Sequence, residues 1–540
     1  MDINSFSDVM NGETKSIYGW IRHWAAEKGP DCALILVDKD GSERNTSWAE
    51  LLSAVDKTSL YFHDLGLCVG SRVAVAMPNS LSGIVSALAA WHLGCCVFFL
   101  SPELPDNELE VLLSQIQPQL VVALGKHAGW SVSRMTESFI ASLPEPQSSL
   151  PDISALPARA TATGGSTGTP KIIIEDIPMS YGPVDFVSWQ MLTGQHAGQR
   201  LLVCGSLHHS HFGNNFYIAL GMGNTNILMR QFNEELFLKL VEKHKVNAFV
   251  LVPTMMSRII RSLDHNKVDL SSVECMHHAG AACPVWLKKD WIKLLGGEKV
   301  YEFYSMSEKI GITAVRGDEW LLHEGCVGRP FGCTVEILDD DMNPVENGTV
   351  GNVFFKMASV GTSHYLMDTQ KLTLSPSGSV SVGDLGYIDD DGFVYLVDRR
   401  SDMIITGGKN VFATEVENVI KECPQVADAL VIGLTDVTWG RRVHAIIEPV
   451  CPPEEFKLYS FADFGFRRIS NYKLPKSIEL VDRIPRDQNG KVNKRRLVDE
   501  REAAGEDSGK FKFITVPNGH QIYAWRKKKA AQKKKESQQS

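Results

Sequence analysis

An α/β fold follows from three features of the chain. Short β-branched or aromatic runs recur as far as Ser305, stretches of helical spacing separate them, and after Gly325 the texture changes to short alternating strands broken by Gly and Asp. In chain order, the amphipathic pattern over 48–65 predicts a helix, RVAVAMP (72–78) a strand, the next apolar stretch a helix through Leu93, and CCVFFL (95–100) a strand. QLVVAL (119–124), RLLVCGS (200–206), NAFVLVP (247–253) and KVYEFYS (299–305) predict further strands, and near-continuous apolar runs of this kind belong to parallel sheets covered by crossover helices. TVEILDDDMNP (334–344), GNVFFKM (351–357) and GYIDDDGFVYLVD (386–398) predict a distorted β-barrel or meander. Beyond RRSDM (399–403), a helix over 413–422, strands VADALVIGL and RRVHAIIEP, another helix and LPKSIELVD predict a small α+β domain of about 100 residues. The expected layout is therefore a large domain over 1–398 with two parallel-rich α/β subdomains and the β subdomain, a hinge at 399–402, a small domain over 403–502, and a flexible basic tail over 503–540.

Composition narrows the function. The 540 residues are 44% hydrophobic and 22% charged, which suits a globular protein with several cores. A net charge of −9 lacks the basic excess of a nucleic-acid-binding domain. The eleven cysteines are scattered without a CxxC pair, and the opening MDINSFSDVMNGETKS shows no secretory leader, so reduced thiols in the cytoplasm are expected. The longest apolar stretch, 86–100, is interrupted by His92 and Gly94 and falls short of the roughly 20 residues of a membrane span. The lysines at 527–529 and 533–535 read as a solvated terminus, with a patch for anionic lipid or nucleic acid as the functional alternative.

The segment TGGSTGTPK (163–171) carries the chemistry. Gly164, Gly165 and Gly168 let the backbone take positive φ and turn N–H groups toward an anion, Ser166, Thr167 and Thr169 add hydroxyl donors, and Lys171 adds a positive charge. Phosphate oxygens suit such a loop, although on composition alone an ordinary turn is the more common outcome. A proline precedes the lysine and no Ser or Thr follows it, which argues against a kinase or P-loop ATPase. In YEFYSMSE (301–308) the final residues sit at a strand's carboxyl end, where open α/β sheets place ligands. Glu308 can there hold Mg²⁺, which takes one or two carboxylates together with substrate phosphates, and Tyr304 can stack on a purine. Read alone, the two are core packing and a surface charge.

TGGSTGTPK, YSMSE, GRPFG, VGDLGYIDDDG, DRRSDMI with TEVE, and PRDQNGK stand in the order and spacing of the acyl-adenylating enzymes, which the chain resembles over about residues 15–500. That superfamily includes acyl- and aryl-CoA ligases, firefly luciferases and the adenylation domains of peptide synthetases. Within it, YSMSEKIGITAVRGDEW, HHAGAACPVWLKKDWI and DRRSDMIITGGKNVFATEVE look most like bacterial bile-acid:CoA ligases. The resemblance implies attack of a carboxylate on the α-phosphorus of ATP, loss of pyrophosphate, and transfer of the acyl group from AMP to a thiol. It also implies roles. The loop from Thr163 through Gly164 and Gly165 would bind ATP, with Ser166, Thr167, Gly168 and Lys171 on the β- and γ-phosphates. Ser307 would lie by the α-phosphate and Glu308 would bind Mg²⁺. Tyr304 would face adenine, with Gly280 and Ala281 on the other side, while Asp384 and Arg399 would hold the ribose. Lys491 would bridge the leaving oxygen and the acyl carboxylate as the main catalytic cation; without the resemblance, Lys491 beside Lys494, Arg495 and Arg496 is a solvated helix start. The small domain is expected to rotate about Ser401 and Asp402, because Lys491 and the thiol-delivering strand near Gly407 and Gly408 cannot share one site.

Several positions depart from the family spelling. Ile172 replaces the glycine after the loop lysine, Gly164 replaces a hydroxyl residue, and Ser401 stands where relatives often carry Lys or Asp. SLHH (206–209) stands for PLFH, so His209 matches the gating histidine and His208 replaces an aromatic. His208, His209, His211, His277 and His278 invite a zinc reading, but they fall on two predicted loops without carboxylate or cysteine spacing. Phe212, Asn214, Phe216, Met256, His278, Ser305, Met306 and Ile310 are expected to line a large, mostly apolar acyl cavity. No aspartate occupies the segment just after His209, where amino-acid-activating relatives place one to pair with the substrate ammonium, which argues against amino-acid substrates.

The resulting expectation is an AMP-forming acid:CoA ligase using ATP, Mg²⁺ and CoA on a bulky hydrophobic acid, bile-acid-like or of aryl or cinnamate type. The alternative loads the acid onto the phosphopantetheine thiol of an acyl carrier protein. A non-catalytic binding protein would show erosion at Lys491, Glu308, Asp384 or Arg399, and all four are present. A homodimer is left open; neither nucleic acid nor a membrane span is expected.

Overall fold

The computed structural model describes residues 12–124, 132–163, 171–262, 268–306, 308–357, 363–366, 373–486, 491–505 and 510–539. Among them, the large domain holds one nine-stranded and one seven-stranded sheet. The nine-stranded sheet runs Arg329–Pro330, Ile312–Arg316, Val300–Ser305, Cys275–His278, Ala248–Leu251, Arg200–Val203, Thr225–Met229, Cys32–Val37, Glu43–Ser47. Its central strands pair in parallel and its edges antiparallel. The seven-stranded sheet runs Ser363–Tyr365, Lys171–Glu175, Arg159–Thr163, Cys96–Phe99, Arg72–Ala76, Leu120–Ala123, Val132–Ser133. Helix Leu81–His92 packs on the second sheet, helix Ser210–Gly221 on the first, and helix Ile17–Lys28 touches both of these helices.

Local chemistry explains the helices. The one expected over 48–65 spans Trp48–Asp64 and opens on a capping box, with Ser47 Oγ accepting from the Glu50 N–H at 3.2 Å and the Glu50 carboxylate accepting from the Ser47 N–H at 2.7 Å. Leu81–His92 is buried over nearly its whole circumference, which its Gly, Ala and Ser residues allow. Ser86 satisfies its hydroxyl on the Ser82 carbonyl at 2.7 Å, and His92 shares a hydrogen bond with Ser59 Oγ at 3.0 Å.

Strand Val300–Ser305 is braced from below. Glu302 accepts a hydrogen bond at 2.5 Å from Lys288 Nζ, whose side chain is 0% exposed and whose ammonium lies 4.7 Å from the Trp320 ring centre. The pair fixes the strand whose far end carries Tyr304.

Cys333–Leu338, Gly351–Met357, Val380–Ile388 and Val394–Arg399 form an antiparallel sheet in that order, the meander of the two expected forms. The next sheet begins at Ile404–Thr406 and includes the long hairpin Val426–Asp436 with Gly440–Pro449, then Ser477–Leu480. The expected flexible tail differs among the described residues. Ile514–Thr515 adds an antiparallel strand to Ser477–Leu480, and helix Gly519–Gln539 packs on helix Leu458–Phe466. Trp525 stacks on Tyr459 with centroids 6.0 Å apart, Arg526 pairs with Asp463, and Ile522 is buried. Charge counting overlooks these apolar anchors between the lysines. No described helix is long and apolar enough to cross a membrane.

Candidate active site

Ala248–Leu251, Cys275–His278 and Val300–Ser305 run parallel, so the turns after them gather at one rim, the position at which open α/β sheets bind ligands. Gly280 turns there at φ +85°, a left-handed conformation that favours glycine, and it is exposed together with Ala281. Thr163 and Lys171 face each other as the last register pair of their antiparallel strands. The intervening Gly164, Gly165, Ser166, Thr167 and Gly168 lie outside the described residues, as do Ser307 and residues 487–490.

Tyr304 and Asp384 meet at this rim. The Tyr304 hydroxyl donates to Asp384 Oδ2, while Arg399 Nε lies 3.5 Å from Oδ1. Asp384 and Arg399 are direct cross-strand neighbours, so the hairpin register creates the pair. Asp384 is buried and its Oδ1 has no hydrogen-bond partner. Burial raises its pKa, outweighing the opposing pull of Arg399 and Tyr304. An acceptor oxygen without a donor, beside a cation, is suited to a vicinal diol.

Glu308 Oε1 accepts from the Tyr365 hydroxyl at 2.7 Å. Tyr365 escaped the sequence reading; it belongs to a three-residue strand paired with Lys171–Glu175, and so short a strand carries almost no periodic signal. Burial, then Glu308, raises its hydroxyl pKa, so it remains a donor.

His209 precedes helix Ser210–Gly221, with its ring 4.2 Å from that of His208. Both are partly exposed yet enclosed. Burial lowers the His208 pKa to about 4 and His209 well below the ordinary value. Lys491 is near enough that its charge further disfavours protonation of His209 and His211.

The eight residues expected to line one acyl cavity are divided among several surroundings. Phe212 and Phe216 are fully buried in the main core, one turn apart on one helix face, as is Met256, whose carbonyl accepts from Trp291 Nε1 at 3.3 Å. Asn214, two residues from each phenylalanine, projects from the opposite face and accepts from Arg159. Met306 packs with Tyr304 on Ile337, Val353 and Phe355 of the meander. Ser305 donates to the Gly311 carbonyl at 2.8 Å, and Ile310 and His278 are buried. Helix phase separates Asn214 from Phe212 and Phe216.

His277 and His278 are fully buried, and neither nitrogen of either ring has a hydrogen-bond partner. Burial holds both pKa values well below 6.5, so the rings are neutral in the fold and become protonated in the unfolded chain as pH falls below that value. Their contribution is fully present above about pH 6.5 and is lost toward the lower folded-state values. The melting temperature should therefore drop as pH goes from about 7.5 to about 5, and His277→Phe should flatten that dependence in a thermal-shift series. An unchanged slope would remove His277 from the account.

Gly407 and Gly408 form the turn between Ile404–Thr406 and Lys409–Val411 at φ +55° and +76°. The Gly407 N–H donates to the Trp439 carbonyl at 2.8 Å, and Lys476 Nζ lies 5.5 Å from the Trp439 ring. Trp439 and Lys476 were missed because they join the glycines only through the sheet. At the expected hinge, the Ser401 hydroxyl donates to Asp402 at 3.0 Å. Lys494 Nζ lies 3.5 Å from Asp402 and 2.8 Å from Glu417.

Residues 21–365 match the AMP-binding enzyme family, and 415–491 match the AMP-binding enzyme C-terminal domain. A 2-succinylbenzoate–CoA ligase of Bacillus licheniformis is 26% identical over 486 residues, 88% of this chain and 98% of that protein. The Bacillus subtilis 2-succinylbenzoate–CoA ligase is 29% identical over 346 residues, 63% of this chain and 68% of that protein. Among solved structures, Bacillus subtilis o-succinylbenzoate CoA synthetase in complex with its acyl-adenylate intermediate superposes with a TM-score of 0.77 at 23% identity, covering 91% of this chain and 99% of that one. ATP-bound MatB from Rhodopseudomonas palustris gives 0.73 at 21% identity, covering 90% and 99%. None of these relatives is a bile-acid:CoA ligase, which corrects the closer resemblance expected from the sequence.

Proposed function

The chain belongs to the AMP-binding enzyme family and is an AMP-forming acid–thiol ligase, and we propose that it activates an aryl carboxylic acid with ATP and passes the acyl group to CoA. The observation that carries this reading is the convergence of Tyr304, Asp384 and Arg399 on one rim to which Lys491 also brings its charge. The aryl assignment draws on relatives named for 2-succinylbenzoate and on the flat neutral imidazoles at the same rim.

In this mechanism Asp384 and Arg399 hold the ribose, Tyr304 supports adenine, and the phosphate loop with Lys171 takes the triphosphate. Glu308 would hold Mg²⁺, an ion for which one carboxylate together with substrate phosphates suffices. The ion when bound offsets phosphate charge. Lys491 draws the acid's carboxylate against the α-phosphorus and stabilises charge on the departing oxygen; the carboxylate oxygen forms the new P–O bond as the bond to pyrophosphate breaks. His209, kept neutral, closes the acyl side without repelling Lys491. After rotation at Ser401 and Asp402, the Gly407–Gly408 turn guides the CoA thiol, whose sulfur displaces AMP.

The assay follows pyrophosphate release over a panel of benzoic, cinnamic and fatty acids with ATP, then disappearance of the CoA thiol. Aryl acids are expected to support both steps. Pyrophosphate release without loss of the thiol would move the acceptor to a carrier protein, and no release with any aryl acid would end the aryl assignment.

A further inference from the structure

Glu175, on the strand leaving the phosphate loop, is 1% exposed and is shared by two cations. Its Oε2 accepts from Lys309 Nζ at 2.5 Å, and its Oε1 lies 3.9 Å from Nε of Arg159, the residue directly across the antiparallel pair. Arg159 is 2% exposed, sits 5.2 Å from the Phe99 ring centre, and donates through Nη1 to Asn214 on helix Ser210–Gly221. Gly213 leaves room for it, since a Cβ there would stand 3.0 Å from Arg159 Nη2 and 2.6 Å from the Leu207 carbonyl oxygen.

The other arm reaches the metal-side loop. Lys309 has φ +51°, a left-handed conformation that costs a residue with a side chain about 1 kcal/mol or more. Its ion pair to Glu175 offsets that cost and orients the peptide that carries Glu308. Glu308 is itself tied to Tyr365, which pairs with Ile173 on the strand of Glu175. Two consecutive loop residues are therefore anchored to adjacent strands of the sheet that bears the phosphate loop. A buried ion cluster is not needed for stability, because apolar residues of similar volume often serve as well. What this cluster adds is a fixed register among three segments that sequence keeps far apart.

We propose that Glu175 is a positioning residue. Through Lys309 it sets Glu308 relative to strand Lys171–Glu175, and through Arg159 it seats the start of the helix behind His209. The inference rests on the reading of Glu308 as the magnesium ligand given above.

The test uses full-length wild type, Lys309→Met, Glu175→Gln and Glu175→Asp. Calorimetry measures AMP, and α,β-methylene-ATP with and without Mg²⁺, all in the absence of acid. Wild type should bind the analogue more tightly with Mg²⁺. Lys309→Met and Glu175→Gln should each cut that metal-dependent gain by about tenfold while the Kd for AMP moves less than about twofold, and Glu175→Asp should recover part of it. Glu175→Gln should also raise the KM for the acid, and Lys309→Met should not. An undiminished gain in Lys309→Met overturns the inference, as does equal weakening of AMP and analogue, the mark of general loosening. Should Glu175→Gln fail to fold, Lys309→Met, on a half-buried loop side chain, decides the question. Failure of wild type to bind either nucleotide would instead overturn the proposed function.

Discussion

Replacing Lys491 with alanine is expected to slow acyl-adenylate formation by about 10²-fold or more, the scale of losing one preorganised charge-stabilising group. The geometry makes this cation hard to replace. Lys491 lies just before helix Lys494–Ala504, and its charge reaches His209 and His211, which burial already keeps neutral. Burial, the largest cause of their lowered pKa, stays in place when the lysine is removed. Lys494, three residues on, is committed to Glu417 and Asp402; burial alone would lower its pKa, but these carboxylates outweigh it and the pKa is raised. Rapid-quench measurement of pyrophosphate should show the loss, whereas thioester formation from synthetic acyl-adenylate should change far less. Equal loss in both half-reactions would remove Lys491 from the adenylation step.

Glu302→Ala is expected to destabilise the large domain by about 3–5 kcal/mol, because it strands the fully buried ammonium of Lys288. The effect should reach the site as well, since the same strand carries Tyr304 next to its final residue. Replacing both partners by apolar residues, as in Lys288→Met with Glu302→Leu, should recover most of the loss, because the pair's net worth is far smaller than the cost of breaking it. Urea unfolding followed by tryptophan fluorescence is a suitable readout, with Trp291 and Trp320 in the same core. A midpoint unchanged in the single variant would show that water reaches Lys288.

What the amino-acid order disclosed depended on how far each contact reaches along the chain. Strands such as Arg72–Ala76 and Ala248–Leu251 were legible because burial on both faces leaves continuous apolar runs. The Asp384–Arg399 pair was reachable through its motifs, and a hairpin register sets it. Glu175 and Arg159 were not legible as partners, because their meeting depends on the exact register of two strands joined by the phosphate loop, where a one-residue slip would turn one side chain to the other face. Phe212, Asn214 and Phe216 show a different limit: all three were expected on one cavity wall, but successive helical positions are turned by about 100°. Trp439 reaches Gly407 only because an edge hairpin meets the end of a longer strand.

The terminal strand Ile514–Thr515 occupies the outer flank of Ser477–Leu480, which would otherwise be the border of the small domain's sheet. An uncovered border is a template on which another chain can lay its own backbone. Cutting the protein after residue 503 would thus strip away a guard rail, and the first symptom would be clumping of still-folded molecules rather than a slower reaction.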